Sequence, residues 1–122
     1  MIELAALKGT LLQGGFVISE IGIADKPLAD ALGRGALAKT VIVGANFALL
    51  IQAGMDEREL SVTLYHEILE AASVASSAPP AKVIDFNEAD FERTAYAMHD
   101  TLGPASTENL NRMLQLHGFG GE

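Results

Sequence analysis

His66, Glu67 and Glu70 have the residue types and the spacing that metal-assisted hydrolysis requires. In a helix, His66 and Glu70 lie one turn apart and can bind the same ion, with Glu67 beside them. A carboxylate in that place can take a proton from metal-activated water and pass it to a leaving amine. The pattern predicts an amide hydrolase with His66 and Glu70 as metal ligands and Glu67 as general base. The competing interpretation is a solvated helix face whose polar residues have no catalytic task.

The sequence delimits the helix that carries these residues. Asp56 and Glu59 form the Asp-x-x-Glu pattern of a helix N-terminus, and we expect the helix to run from about 57 to about 75. Apolar residues recur at helical spacing and cover about one half of its surface. They are Leu60, Leu64, Tyr65, Ile68, Leu69 and Ala72. The candidate chemistry therefore lies on the side of the helix away from most of the predicted core.

Residues 64–71 (Leu-Tyr-His-Glu-Ile-Leu-Glu-Ala) follow an apolar strand and the run Asp-Glu-Arg-Glu-Leu at 56–60. This stretch resembles the active-site helix of zincin-like metallopeptidases, in particular the small bacterial and phage type that includes repressor-cleaving peptidases. The resemblance covers roughly residues 38–102 and implies an α+β fold in which a short β-sheet packs on the active-site helix, with further helices. We expect residues 1–122 to form this single domain. The resemblance also implies a metal-dependent peptidase acting on a protein or peptide, with zinc or another divalent cation.

A second helix in such peptidases supplies an acidic third ligand, and residues 87–95 look like that segment. The resemblance makes Glu88 the candidate. Glu92 and His99 fall on nearly the same side of the predicted helix and are the alternatives. An acid in the first helical turn is also stabilised by the exposed backbone amides without any metal. His117, at the end of the last predicted helix, is more simply explained as a favourable C-terminal charge or a polar cap.

Glu70 departs from the family pattern, which has a second histidine at this position. One imidazole and two carboxylates make a harder and more anionic site than usual, so manganese, iron or magnesium compete with zinc. The alternative function is a catalytically inactive zincin-like regulatory or protein-interaction module. Apolar residues 47–51 would then supply a surface for a partner or a homodimer. A plain helical domain, with 41–43 outside any sheet, is a third interpretation.

Composition narrows the remaining classes of protein and of function. With 49% hydrophobic and 20% charged residues, the 122-residue chain suits one compact domain. The net charge of -8 argues against nucleic acid as a partner. The absence of cysteine excludes thiolate ligands and cysteine nucleophiles. We expect a cytoplasmic protein, because residues 1–15 lack signal-peptide features, and no membrane span, because Lys39, Asn46 and Gln52 interrupt the apolar stretch at 36–54.

The remaining elements are predicted from hydrophobic spacing, β-branched runs and Gly or Pro breaks. We expect helices at 2–13, at 88–102 and from 106 or 107 to 117, where Gly118 ends the last one. Strands are expected at 16–23 and 38–44, with a turn at 45–46 and a second hairpin arm or a short helix at 47–52. Residues 27–35 are predicted as a loop or a short turn of helix, 76–81 as a loop, and 82–86 as a short extended piece.

Overall fold

The computed structural model describes residues 2–28 and 37–120. Within these ranges the chain forms a four-stranded sheet and four helices, so the predicted α+β class is confirmed. The elements are α1 (Leu4–Leu7), β1 (Leu11–Leu12), β2 (Phe16–Ile23), β3 (Ala38–Val43), β4 (Asn46–Ile51), α2 (Glu57–Ala75), α3 (Glu88–Leu102) and α4 (Thr107–Leu116). None of the helices in the described ranges is long and apolar enough to cross a membrane.

The sheet has the order β1-β2-β4-β3, with β2 and β4 parallel and the other two pairs antiparallel. β3 and β4 form a hairpin in which Val43 pairs with Asn46 across the two-residue loop Gly44-Ala45. Gly44 has a φ of +62°, which lies in the left-handed region that glycine adopts at low cost. Residues 47–52 are therefore the second arm of a hairpin, and the alternative of a short helix is wrong.

Side chains alternate along β4 between the core and the opposite face of the sheet. Phe47, Leu49 and Ile51 are buried, whereas Leu50 is exposed. The apolar surplus at 47–51, predicted as a partner surface, thus belongs mostly to the core. Only its outward-facing residues, Ala48 and Leu50, remain available for contacts.

α2 covers the inner face of the sheet and contacts β3, α3 and α4. Its N-terminus has the predicted capping box, since the Asp56 side chain accepts from the Glu59 amide and Glu59 reaches back to the Asp56 amide. The helix ends at Ala75, as predicted. Leu64, Tyr65, Ile68, Leu69 and Ala72 of the predicted apolar face are fully buried, and Leu60 packs at the edge of the core.

The helix predicted at 2–13 is wrong beyond its first turn. α1 ends at Leu7, and Gly9 has a φ of +84°, which breaks the helical path. The chain then pairs Leu11 and Leu12 with β2. Asn111 of α4 holds this strand from its other side, because its side chain donates to the Leu11 carbonyl and accepts from the Gln13 amide. A partner 100 residues away thus overrides the local helical spacing.

α3 and α4 agree with the sequence prediction. Asn87 forms a capping box with Asp90, and α3 runs to Leu102 before Gly103 at a φ of +94°. α4 begins after Ser106, whose side chain accepts from an amide of the first turn. The imidazole of His117 caps the end of α4, with Nδ1 2.7 Å from the Met113 carbonyl oxygen, which confirms the predicted polar cap.

Two connecting segments complete the comparison with the sequence predictions. Residues 82–86 form turns instead of an extended piece, because the amides of Val83 and Ile84 both donate to the Pro80 carbonyl. Burial of Val83 stabilises this compact path. Of the loop predicted at 27–35, only Pro27 and Leu28 are described, and neither lies in a helix or strand; the rest falls outside the described residues.

Candidate metal centre

α2, β3 and the first turns of α3 enclose a cleft of about 640 Å³ that contains the predicted chemistry. α2 contributes His66, Glu67 and Glu70 to its wall, and α3 contributes Glu88 and Glu92. The site therefore depends on the packing of α3 against α2. Capping by Asp56 and Asn87 fixes where each helix starts, and burial of the apolar face of α2 sets the rotation at which its polar side chains enter the cleft.

The two ring nitrogens of His66 have different partners. Nε2 lies 3.1 Å from Oε1 of Glu88 and 3.7 Å from Oε1 of Glu70. Nδ1 lies 2.8 Å from Oε1 of Glu92. Phe91 supports the ring by stacking, with 6.2 Å between the ring centroids. The imidazole is thus fixed with Nε2 toward two carboxylates and Nδ1 toward a third.

The separations around Nε2 suit a common cation. Two ligands about 2.1 Å from a tetrahedral ion lie about 3.4 Å from each other. The two Nε2–Oε1 distances, 3.1 Å and 3.7 Å, fall on either side of that value. His66, Glu67 and Glu70 also each offer a ligand atom within 4.8 Å of the others. These separations are compatible with a divalent cation held by His66 together with neighbouring carboxylates.

The carboxylates are close enough to perturb one another. Burial, and then the hydrogen bond and charge of Glu88, raise the pKa of Glu70 to about 8. The same hydrogen bond, donated by Glu70, lowers the pKa of Glu88. Burial acts to lower the pKa of His66, but the hydrogen bond to Glu92 and the charges of Glu67, Glu70 and Glu88 outweigh it and raise the pKa. The opposite pKa shifts of Glu70 and Glu88 favour one proton shared between these two crowded carboxyl groups.

Glu67 has a partner of its own outside the His66 cluster. The hydroxyl of Thr40, on β3, donates to Oε1 of Glu67 over 2.6 Å. This bond ties the middle of α2 to the edge strand of the sheet. It restricts the rotamers of Glu67 at the rim of the cleft.

The structure brings together the three predicted ligands, His66, Glu70 and Glu88, although the Glu88 side chain is 74% exposed. Of the two alternatives, Glu92 contacts Nδ1 of His66 on the side away from Glu70 and Glu88. His99 lies apart from this cluster, since its Nδ1 is 2.7 Å from the buried Ser61 hydroxyl, which also accepts from the Ala105 amide. His99 therefore connects α3 to α2 and does not join the candidate metal centre.

Sequence reasoning missed two contacts. Thr40 lies 27 residues before Glu67, and nothing local in a β-branched strand residue indicates a bond to a helix. Glu92 was considered only as a ligand. Its spacing of four from Glu88 places both on one face of α3, which is the signal that both approach the same imidazole.

The chain matches no protein-family model, no curated protein and no solved structure.

Proposed function

We propose that the chain is a metal-dependent peptidase of the zincin-like type. The observation that carries this proposal is the convergence of Glu70 and Glu88 on Nε2 of His66, beside Glu67, in one cleft. The helix motif predicted His66, Glu67 and Glu70 for this site, and the resemblance of residues 87–95 predicted Glu88. Their separations suit a shared cation, and the cleft is large enough for a segment of peptide.

In this proposal His66, Glu70 and Glu88 hold the cation. When bound, a divalent cation supplies Lewis-acid activation of water and of the substrate carbonyl. Glu67 accepts the proton of the attacking water and delivers it to the leaving amine. Thr40 acts as a positioning residue, because its hydroxyl holds one oxygen of Glu67. The carboxylate-rich ligand set is hard, so manganese and iron compete with zinc for it.

Metal content and hydrolysis, measured together, test the proposal. Wild-type protein purified without chelator is expected to carry metal in about 1:1 ratio by elemental analysis. Glu67→Gln should keep the metal and lose about 10²- to 10⁴-fold in hydrolysis of a casein-type or repressor-type substrate. His66→Ala should lose both. Glu108→Gln, a change on the exposed side of α4, is the matched control and should alter neither.

Metal in the wild type no higher than in His66→Ala would overturn the proposal. The second candidate function, a catalytically inactive zincin-like interaction module, is favoured by one observation. The imidazole of His66 contacts Glu92 through one nitrogen and Glu88 through the other, which is the arrangement of an ion-pair contact between α2 and α3. On that view Glu70→His, which restores the family motif, gains neither metal nor hydrolysis.

A further inference from the structure

The face of the sheet that points away from the helices combines exposed apolar side chains with charged ones. Two of the three rows of residues that cross β2, β4 and β3 there line one groove. The rows are Glu20, Ala48 and Val41, then Gly22, Leu50 and Lys39; we call these six residues the outer sheet face. They line a shallow groove of about 460 Å³, and Val41 and Leu50 are 50% and 40% exposed.

Gly22 lies in β2 just after the register shift between Ile18 and Glu20, and it leaves the outer sheet face without a side chain at this point. Its φ lies outside the left-handed region, so its backbone does not require glycine. A Cβ at this position would meet no atom of the described residues within 4 Å. Glycine inside a strand costs stability, and it often marks a place where another molecule or segment approaches closely. The open space above Gly22 therefore leaves room for a side chain of another molecule.

The charges of this face suit a second copy of the same chain. The chain carries a net charge of -8, so copies repel each other over most orientations. The outer sheet face holds Lys39 and Glu20, and Lys8 lies 3.2 Å from Glu20. The carboxylates of the candidate metal centre lie on the other side of the sheet, since Thr40 points to Glu67. Two copies packed through this face keep their acidic sides apart.

We propose that two copies of the chain form a homodimer by packing their outer sheet faces together, around a two-fold axis parallel to β4. This two-fold rotation places the partner's β3 over β2, so that the partner's Lys39 lies opposite Gly22. Glu20 lies two residues further along β2, about 7 Å away, within reach of a lysine side chain. The aliphatic part of Lys39 fills the space above Gly22, and its ammonium pairs with Glu20 of the other copy.

The pairing occurs twice by symmetry, with Val41, Ala48 and Leu50 as the apolar centre between the two pairs. Aligned face-to-face packing of twisted sheets is a common arrangement, and it leaves both sets of helices on the outside. The homodimer does not depend on the proposed peptidase activity.

Charge reversal with sedimentation analysis tests the homodimer. Wild-type protein should show a reversible dimer. Lys39→Glu and Glu20→Lys should each weaken self-association at least tenfold, because each places like charges opposite one another. An equimolar mixture of the two variants should form a heterodimer, since positions 20 and 39 are both acidic in one variant and both basic in the other. Recovery in the mixture separates charge pairing from misfolding.

Gly22→Val supplies an independent test. Valine favours a strand, so the variant should unfold at the same or a higher temperature while its self-association falls at least tenfold. Leu116→Lys changes an exposed apolar residue of α4 and is the control that should leave the dimer intact. A wild type that stays monomeric up to about 1 mM would overturn the homodimer. So would a dimer that survives both Gly22→Val and the charge reversals.

Discussion

The imidazole of His66 has a carboxylate near each ring nitrogen, and the two contacts would affect metal binding in different ways. A ligating histidine usually donates its second N–H to an acceptor, which fixes the tautomer and raises the basicity of the ligating nitrogen. Glu92 is such an acceptor at 2.8 Å from Nδ1. This contact leaves Nε2 as the nitrogen available to a cation, on the side where Glu70 and Glu88 lie. We therefore assign Glu92 a positioning role in place of the ligand role considered from sequence.

Removing this acceptor should weaken metal binding without changing the ligand set. Glu92→Ala is expected to lower metal affinity by about 10- to 100-fold, the usual cost of losing such a partner. Glu92→Gln keeps an oxygen that can accept from Nδ1–H and should lose less. Titration with a competing chelator measures both affinities. If Glu92→Ala bound metal as tightly as the wild type, the positioning role would be wrong.

At the scale of elements, the candidate centre depends on the helix starts as well as on the packing of α3 against α2. The capping boxes at Asp56 and Asn87 fix the first residues of α2 and α3. His66 and Glu88 then follow at set rotations from those starts, because each residue advances the side chain by about 100°. A cap therefore affects both the stability of its helix and the approach of the metal-facing side chains.

Asp56→Ala tests the cap of α2. Loss of the side-chain acceptor for the Glu59 amide should cost about 1 kcal/mol of the free energy of unfolding. For a chain of this size that corresponds to about 3–5 °C in the midpoint of thermal unfolding. Asp85→Ala removes an exposed aspartate from a loop and is the matched control. Equal unfolding midpoints for the two variants would contradict the contribution of the cap.

At the scale of the molecule, Tyr65 connects α2 to the turn between α3 and α4. Its ring is fully buried, and its hydroxyl donates to the Gly103 carbonyl over 2.7 Å. Burial raises the pKa of Tyr65 to about 12, although a hydrogen bond with Asn109 partly offsets the shift. Because the neutral form is favoured in the folded state, the contribution to stability is complete below pH 10 and is lost as the pH rises toward 12.

The loss of unfolding free energy at alkaline pH should therefore depend on Tyr65. Between pH 10 and pH 12 the wild type is expected to lose up to about 3 kcal/mol more than Tyr65→Phe, which cannot ionise. Below pH 10 the variant should be less stable by about 1 kcal/mol, since it lacks the hydrogen bond to Gly103. Urea unfolding across this pH range measures both differences. Tyr96→Phe, a change in an exposed ring, should retain the wild-type slope; parallel slopes for all three proteins would contradict the assignment to Tyr65.

The sequence by itself determined the elements whose signals are local. The bounds of α2 and α3 follow from side chains that cap amides three residues away. β2 and β3 follow from β-branched runs, and the α+β class follows from their order. The helical spacing of four also placed Glu70 one turn from His66, and Glu92 one turn from Glu88. These features need no knowledge of distant partners.

Only the tertiary structure decided the features that join distant parts of the chain. Residues 11–12 form a strand because Asn111 and β2 supply hydrogen bonds that local spacing cannot reveal. The orientation of His66 was decided by α3, and the support of Glu67 by Thr40 on an edge strand. The motif at 66–70 specified which groups share a helix face. The packing of α3 and β3 against α2 decided which of them face one another, because hydrogen bonds of this kind require approach within about 3 Å between residues that the sequence separates.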